Sequence, residues 1–139
     1  MFCRLILIFA GLALCAPVTF ADTPSPPGAK VYIISPKDGE TVTDLVKVQF
    51  GLLGMGVAPA GIDADLTGHH HLVVDRDTPP LDDYLPTGNP QVIHFGQGQT
   101  ETELVLEPGE HTLQLVLGDK DHKPHVPPVV SDIVKFTVK

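Results

Sequence analysis

The sequence predicts an all-β fold, and three observations carry that expectation. From Lys30 onward apolar and polar residues alternate with a period of two, and no stretch sustains the helical repeat of about 3.6. Gly 13 and Pro 14 interrupt the chain at short intervals, a composition that suits turns between strands better than a helical bundle. The 139 residues are 42% hydrophobic, enough to close a core and too few residues for more than one ordinary domain.

The opening element stands outside that domain. Residues 1–21, MFCRLILIFAGLALCAPVTFA, place Arg4 before an apolar run over 5–14. The run has the length of a signal-peptide core and is too short to span a bilayer. Small Ala21 ends the segment, so the sequence predicts a signal peptide cut after Ala21 and a periplasmic or secreted chain with no membrane span of its own. Cys15 offers the alternative of a lipoprotein, against which stands Leu14, where a lipobox carries a small residue. Removal of residues 1–21 takes Arg4, Cys3 and Cys15 with it, leaving 8 basic against 17 acidic residues, a net charge of -9, and no disulfide or thiol. Residues 22–29, DTPSPPGA, read as a Pro-rich linker that needs no packing, ahead of one domain over 30–139.

Within that domain residues 31–34 are the first expected strand, stopped by Ser35-Pro36-Lys37-Asp38-Gly39. Residues 45–50 follow, with Val46, Val48 and Phe50 facing inward and Lys47 and Gln49 outward. A glycine-rich loop over 51–68 leads to a strand over 69–75, whose Leu72-Val73-Val74 centre predicts burial on both faces. Residues 76–90 hold four prolines and three aspartates and read as a loop. Strands over 91–95, 102–106 and 110–117 come next, and a His- and Pro-rich loop over 118–128 precedes the last, over 130–138. Seven short strands joined by turns are the count of a seven-stranded immunoglobulin-like β-sandwich.

Charge and composition then exclude function classes. A formal net charge of -8 for the whole chain argues against a face that tracks nucleic-acid phosphates and against a basic membrane anchor. Beyond residue 21 the serines are Ser25, Ser35 and Ser131, none in a nucleophile-elbow context. Gly96-Gln97-Gly98 precedes a strand in an acidic chain, the wrong place for a phosphate cradle. The aromatic residues are too few for a carbohydrate platform, and nothing nominates an enzyme.

The chemistry that remains belongs to histidine. There are 7, and they are grouped: His69-His70-His71, His94, His111, and the pair His122 and His125 across Lys123-Pro124. Residues two apart on a strand share a face, so His69 and His71 point the same way about 6–7 Å apart, close enough to chelate one ion. Strand pairing can bring His94 beside them, with His122 and His125 as further ligands or guards of the approach. An imidazole set without thiolate suits Cu(II), Zn or Ni, with Met55 as a conceivable soft donor for Cu(I). His70 shares its face with Leu72 and Val74 and reads as packing. His111 lies in line with Leu113, Leu115 and Leu117 and reads as a structural corner, with ligation the alternative. Asp75, Asp77, Asp82 and Asp83 lack the order of an EF-hand and read as a solvated loop. Asp119 and Asp121 read as turn residues.

Two sets of motifs resemble known families. I-S-P-x-D-G-x-x-V and L-x-P-G-x-H-T-L-Q-L are similar to segments of bacterial immunoglobulin-like modules, in the second of which a tyrosine bonds back to the chain where His111 stands here. G-H-H-H-L-V-V-D, H-F-G-x-G-Q-T-E, L-x-P-G-x-H-T-L-Q-L-x-L-G-D and H-x-P-H-x-P-P together resemble a bacterial family of small exported domains catalogued as a domain of unknown function, over roughly residues 30–139. That resemblance implies an exported single domain whose recurring motifs carry His69, His71, His94, His111, His122 and His125, and it supplies no activity. The residues themselves point first to an exported domain that binds copper or zinc through His69, His71, His94, His122 and His125 as a carrier or accessory protein. A non-catalytic module that recognises another envelope protein, with structural histidines, is the alternative, and a metal-dependent hydrolase the third reading. Oligomeric state is left open, since the free edges of a sandwich permit a dimer.

Overall fold

The computed structural model describes residues 22–139, so the expected signal segment, with Arg4, Cys3 and Cys15, lies outside the described residues. The described chain is all β, with nine strands in two sheets and no helix among these residues. One sheet has the order β1-β3-β7, from β1 (Lys30–Ser35), β3 (Leu45–Leu53) and β7 (Glu101–Val105). The other runs β2 (Thr41–Val42), β9 (Val134–Val138), β8 (Gly109–Gly118), β5 (Thr67–Val74) and β4 (Gly56–Val57), and β6 (Val92–His94) also pairs with β5.

Each of the seven expected segments contains a strand. The two additions, β2 and β4, are two-residue edges paired in parallel with β9 and β5, too short for alternation to mark them. The last expected strand begins later than its apolar pattern implies. Val130 makes only an isolated bridge to Val116, and the regular strand starts at Val134. Between them the Ser131 hydroxyl accepts from the Leu115 amide at 2.8 Å, and the Ser131 carbonyl accepts from Gln114 Nε2 at 3.0 Å. Side chains have replaced part of the ladder there.

Alternation explains how the sheets close. Val31 from β1 and Val46, Val48 and Phe50 from β3 meet Leu72 and Val74 from β5, Leu113, Leu115 and Leu117 from β8, and Phe136 and Val138 from β9. Each such side chain contributes roughly 1.5–3 kcal/mol on burial, the main stabilisation open to a domain whose described residues include no cysteine.

β5 is buried on both faces, as its apolar centre predicts. Its outer face carries a second, smaller cluster in which Val73 and Val116 are covered by Leu85, with Leu81 and Val130 at the margin. The 76–90 segment is thus a lid of loop over the outer face, and the Leu85 amide donates to the His122 carbonyl at 2.8 Å. Residues 22–29 also differ from expectation, because they are docked. The Ser25 amide donates to the Val126 carbonyl at 3.1 Å, the Val126 amide to the Thr23 carbonyl at 2.9 Å, and Thr23 Oγ1 to Asp119 Oδ2 at 2.6 Å. Proline holds this stretch extended, and extended backbone presents the groups that such bridges need.

Candidate metal centre

Four of the seven histidines meet on the outer face of the larger sheet. His69 and His71 leave β5 on the side of Val73, away from the main core, as the period of two requires. His94 stands directly opposite His71 in the β5–β6 register, so the two rings project from the same face. Gly118 stands opposite His69 on β8. A Cβ on Gly118 would come within 2.7 Å of His71 Cε1 and 3.3 Å of Leu85, so only glycine leaves room for the imidazole.

His122 arrives from the loop after β8, with a left-handed backbone (φ 71). The Asp119 carboxylate fixes that loop, accepting from the amides of Asp121 and Lys123 at 2.9 Å each. The His122 amide donates to the Asp119 carbonyl at 3.0 Å.

The four rings are in mutual contact. Centroids of His69 lie 4.8 Å from His71 and 5.0 Å from both His94 and His122. His71 lies 5.1 Å from His94 and 5.9 Å from His122, and His94 and His122 are 4.7 Å apart. Nε2 of His94 and Nε2 of His122 approach to 3.1 Å. His69, His71 and His94 each bring one ring nitrogen within 4.8 Å of the others, a group that could hold a metal ion. His69 and His71 are wholly buried, whereas His94 and His122 are half-buried and form the open side.

Electrostatics favour the neutral form of three of these rings, His69, His71 and His94. Burial, then repulsion from His122 and His94, pushes His69 down to about 4, with Asp119 pulling the other way. Burial and the other three rings push His71 down to about 3. His94 is lowered by burial and by His122. Both nitrogens of His69 and of His71 lack a protein hydrogen-bond partner.

The remaining histidines lie elsewhere. His125, expected among the ligands, sits on the opposite face of the sheet. Gly68 alternates with His69 toward the core side, and a Cβ there would meet His125 Cε1 at 2.9 Å. The His125 Nε2 is 3.1 Å from the Thr67 carbonyl. Only Lys123 and Pro124 separate it from His122, and the turn around Asp119 sends the two rings to different sides. His70 packs as expected on the core face, 5.1 Å from Phe50, and burial pushes it down to about 4. The Gln99 backbone opposes that shift without reaching hydrogen-bond geometry.

His111 forms the expected corner. Its Nδ1 meets Asp75 Oδ2 at 2.7 Å and its Nε2 the Glu107 carbonyl at 2.8 Å. Asp75 is therefore not a solvated loop residue, since its other oxygen accepts from the Thr112 amide at 2.8 Å. Met55 packs against the main core, where its sulfur is no ligand for the outer-face rings. The sequence reading missed the Leu81 and Leu85 cover and the Thr23 contact to Asp119. Two leucines in an otherwise acidic, proline-rich stretch were the available signal for the first.

Comparison with known proteins agrees with the motif resemblance. The family model described as a domain of unknown function, DUF4399, matches residues 48–139, which contain all seven histidines. No curated protein matches. Among solved structures the chain is similar to the fibronectin(III)-like modules of Clostridium thermocellum CbhA, at 17% identity and a TM-score of 0.44, over 78% of this chain and 95% of that one.

Proposed function

The chain belongs to the DUF4399 family, and because that description names no activity we propose a function from the site: an exported immunoglobulin-like domain that binds a transition metal, copper or zinc, as a carrier or accessory protein. One observation carries this reading. Among the described residues, all the buried side-chain polar atoms without a protein hydrogen-bond partner are imidazole nitrogens, four of them on His69 and His71. A buried polar group left unpaired costs about 1–3 kcal/mol. Two buried rings that bear this cost, turned toward His94 and His122, make sense as lone pairs awaiting a cation.

The chemistry of the donor set fits. Imidazole must be neutral to ligate, and burial holds His69 and His71 neutral at pH 7. Nitrogen donors without thiolate suit copper and zinc. The half-buried rings of His94 and His122 leave the ion reachable from outside, as a carrier requires. What supports export is the apolar run and small-residue end of residues 1–21.

The test is the metal content, by mass spectrometry, of untagged protein purified without chelator. Near-stoichiometric copper or zinc that disappears in the His69→Ala/His71→Ala double variant, with the fold retained, is the expected result. No metal, and no uptake of Cu(II), Cu(I) or Zn(II), would leave the histidines as structural hubs in an envelope interaction module.

A further inference from the structure

We propose that this site is a closed, tetrahedral shell of four histidines shaped for Zn(II), with His122 as the fourth ligand. The inference rests on the metal-binding reading above and is carried by the six ring-to-ring distances.

A zinc–nitrogen bond is about 2.0–2.1 Å, and the ring centroid lies about 1.1 Å behind the nitrogen, so each centroid stands about 3.2 Å from the ion. At tetrahedral angles all six centroid pairs are then about 5.2 Å apart. In the square plane that Cu(II) and Ni(II) prefer, four pairs would be about 4.5 Å apart and two opposite pairs about 6.4 Å. The structure has 4.7, 4.8, 5.0, 5.0, 5.1 and 5.9 Å. The long distance is His71 to His122, yet the pair opposite it, His69 to His94, is at 5.0 Å. A square needs both diagonals long, so the arrangement is a tetrahedron stretched along one edge. The Nε2 atoms of His94 and His122 share a hydrogen bond at 3.1 Å, a separation that two ligands of one ion can also hold, so a turn of the His122 ring would bring it into the shell of His69, His71 and His94.

The scaffold enforces this shape. His71 and His94 are fixed by the β5–β6 ladder, His69 by its pairing with Gly118 on β8, and the loop carrying His122 is tied to Asp119. Zn(II) has no electronic preference that resists such a cage, whereas Cu(II) favours a flatter one. Cu(I) is favoured by thiolate or thioether donors, and Met55 is packed in the core. Four nitrogens also fill the shell. A hydrolytic zinc keeps a position open for water, so this site is built to hold or hand over its ion and not to activate water.

X-ray absorption at the zinc edge of the loaded, untagged protein should give four imidazole nitrogens at about 2.0 Å. Co(II) in its place should show the intense visible bands of a tetrahedral ion. His122→Ala should lose one imidazole and weaken zinc binding more than about tenfold. Three imidazoles in the unaltered protein, or a pale six-coordinate Co(II) spectrum, would overturn the proposal. Uptake of Cu(II) in a tetragonal environment with none of zinc would also overturn it, while sparing the broader metal reading. No uptake of any ion would defeat both.

Discussion

The two ends of β8 lie beside histidines in opposite states. At its start His111 has both ring nitrogens satisfied, by the Asp75 carboxylate at 2.7 Å and the Glu107 carbonyl at 2.8 Å. Both partners are acceptors, so both nitrogens must carry protons. Burial works against that charge, but the Asp75 hydrogen bond and the Glu107 carbonyl outweigh it and hold His111 above the ordinary histidine value. Roughly 16–23 Å further along β8, on β5 opposite Val116 and Gly118, His71 and His69 have no protein partner and are held neutral by burial and by one another. Whether an acceptor faces the ring decides its state. The partnered ring is held toward its charged form and braces the fold, and the unpartnered rings belong to a group that could hold an ion.

The widest gap between the two ends should appear on adding metal. Zn(II) at about 1,000 times its dissociation constant stabilises a folded site by about 4 kcal/mol, which raises Tm by roughly 10–20 °C in a domain of this size. His69→Ala/His71→Ala should abolish the rise, and His111→Leu should keep all of it. A rise that survived the double variant would erase the distinction between the two ends.

Without metal the two ends should respond to apolar substitution with opposite sign. His71→Leu removes two buried unpartnered nitrogens, so it should leave the metal-free protein as stable as before or more stable. His111→Leu strips a charge-assisted hydrogen bond from Asp75, whose side chain is 37% exposed, and should cost about 1–2 kcal/mol after solvent screening. Urea denaturation of both variants reads the difference. Equal losses would mean that the outer rings are ordinary core.

The pH dependence separates them again, more gently. His111 has a raised value in the folded state, so its contribution is complete below about 6.5 and is lost as pH rises through that raised value. His69, His70 and His71 are lowered to about 4, 4 and 3, so the unfolded chain takes up protons first as pH falls below about 6.5. The metal-free protein should therefore lose stability on the acid side between about 6.5 and 4. Denaturation midpoints across pH should show Asp75→Asn flattening only the alkaline limb, and His70→Leu easing only the acid one.

Much of this contrast was legible in the sequence where period alone decides. Alternation placed His69 and His71 on one face and His70 on the other, and it placed His111 in line with Leu113 and Leu115. Register made His94 opposite His71, which strand pairing allowed but no local pattern fixed. The loops were not legible. His122 and His125 differ by three residues, and their sides are set by the turn that wraps the Asp119 carboxylate, a long-range arrangement completed by Thr23. Asp75 looked like its acidic neighbours, because its partner His111 lies 36 residues away.

The smallest expected effect tests how far the outer site extends. Asp119 is almost fully buried, and although burial would push its carboxyl up, the bonds from Thr23, Lys123 and Asp121 hold it below the usual range. Of its three donors only Thr23 comes from outside the loop that carries His122. Thr23→Val keeps the shape and removes that one bond, leaving a buried carboxylate oxygen short of a partner. It should lower stability by about 1–2 kcal/mol and weaken zinc binding a few-fold, with no ligand touched. Because Thr23 acts on the ion only through the placement of His122, the affinity loss should vanish in a His122→Ala background. The stability loss should persist there, since the Asp119 carboxylate is exposed to the same deficit in both. Affinity losses that simply add would mean that Thr23 reaches the site by a route other than His122, and no affinity loss at all would mean that the docked segment over 22–29 braces the domain without positioning the site.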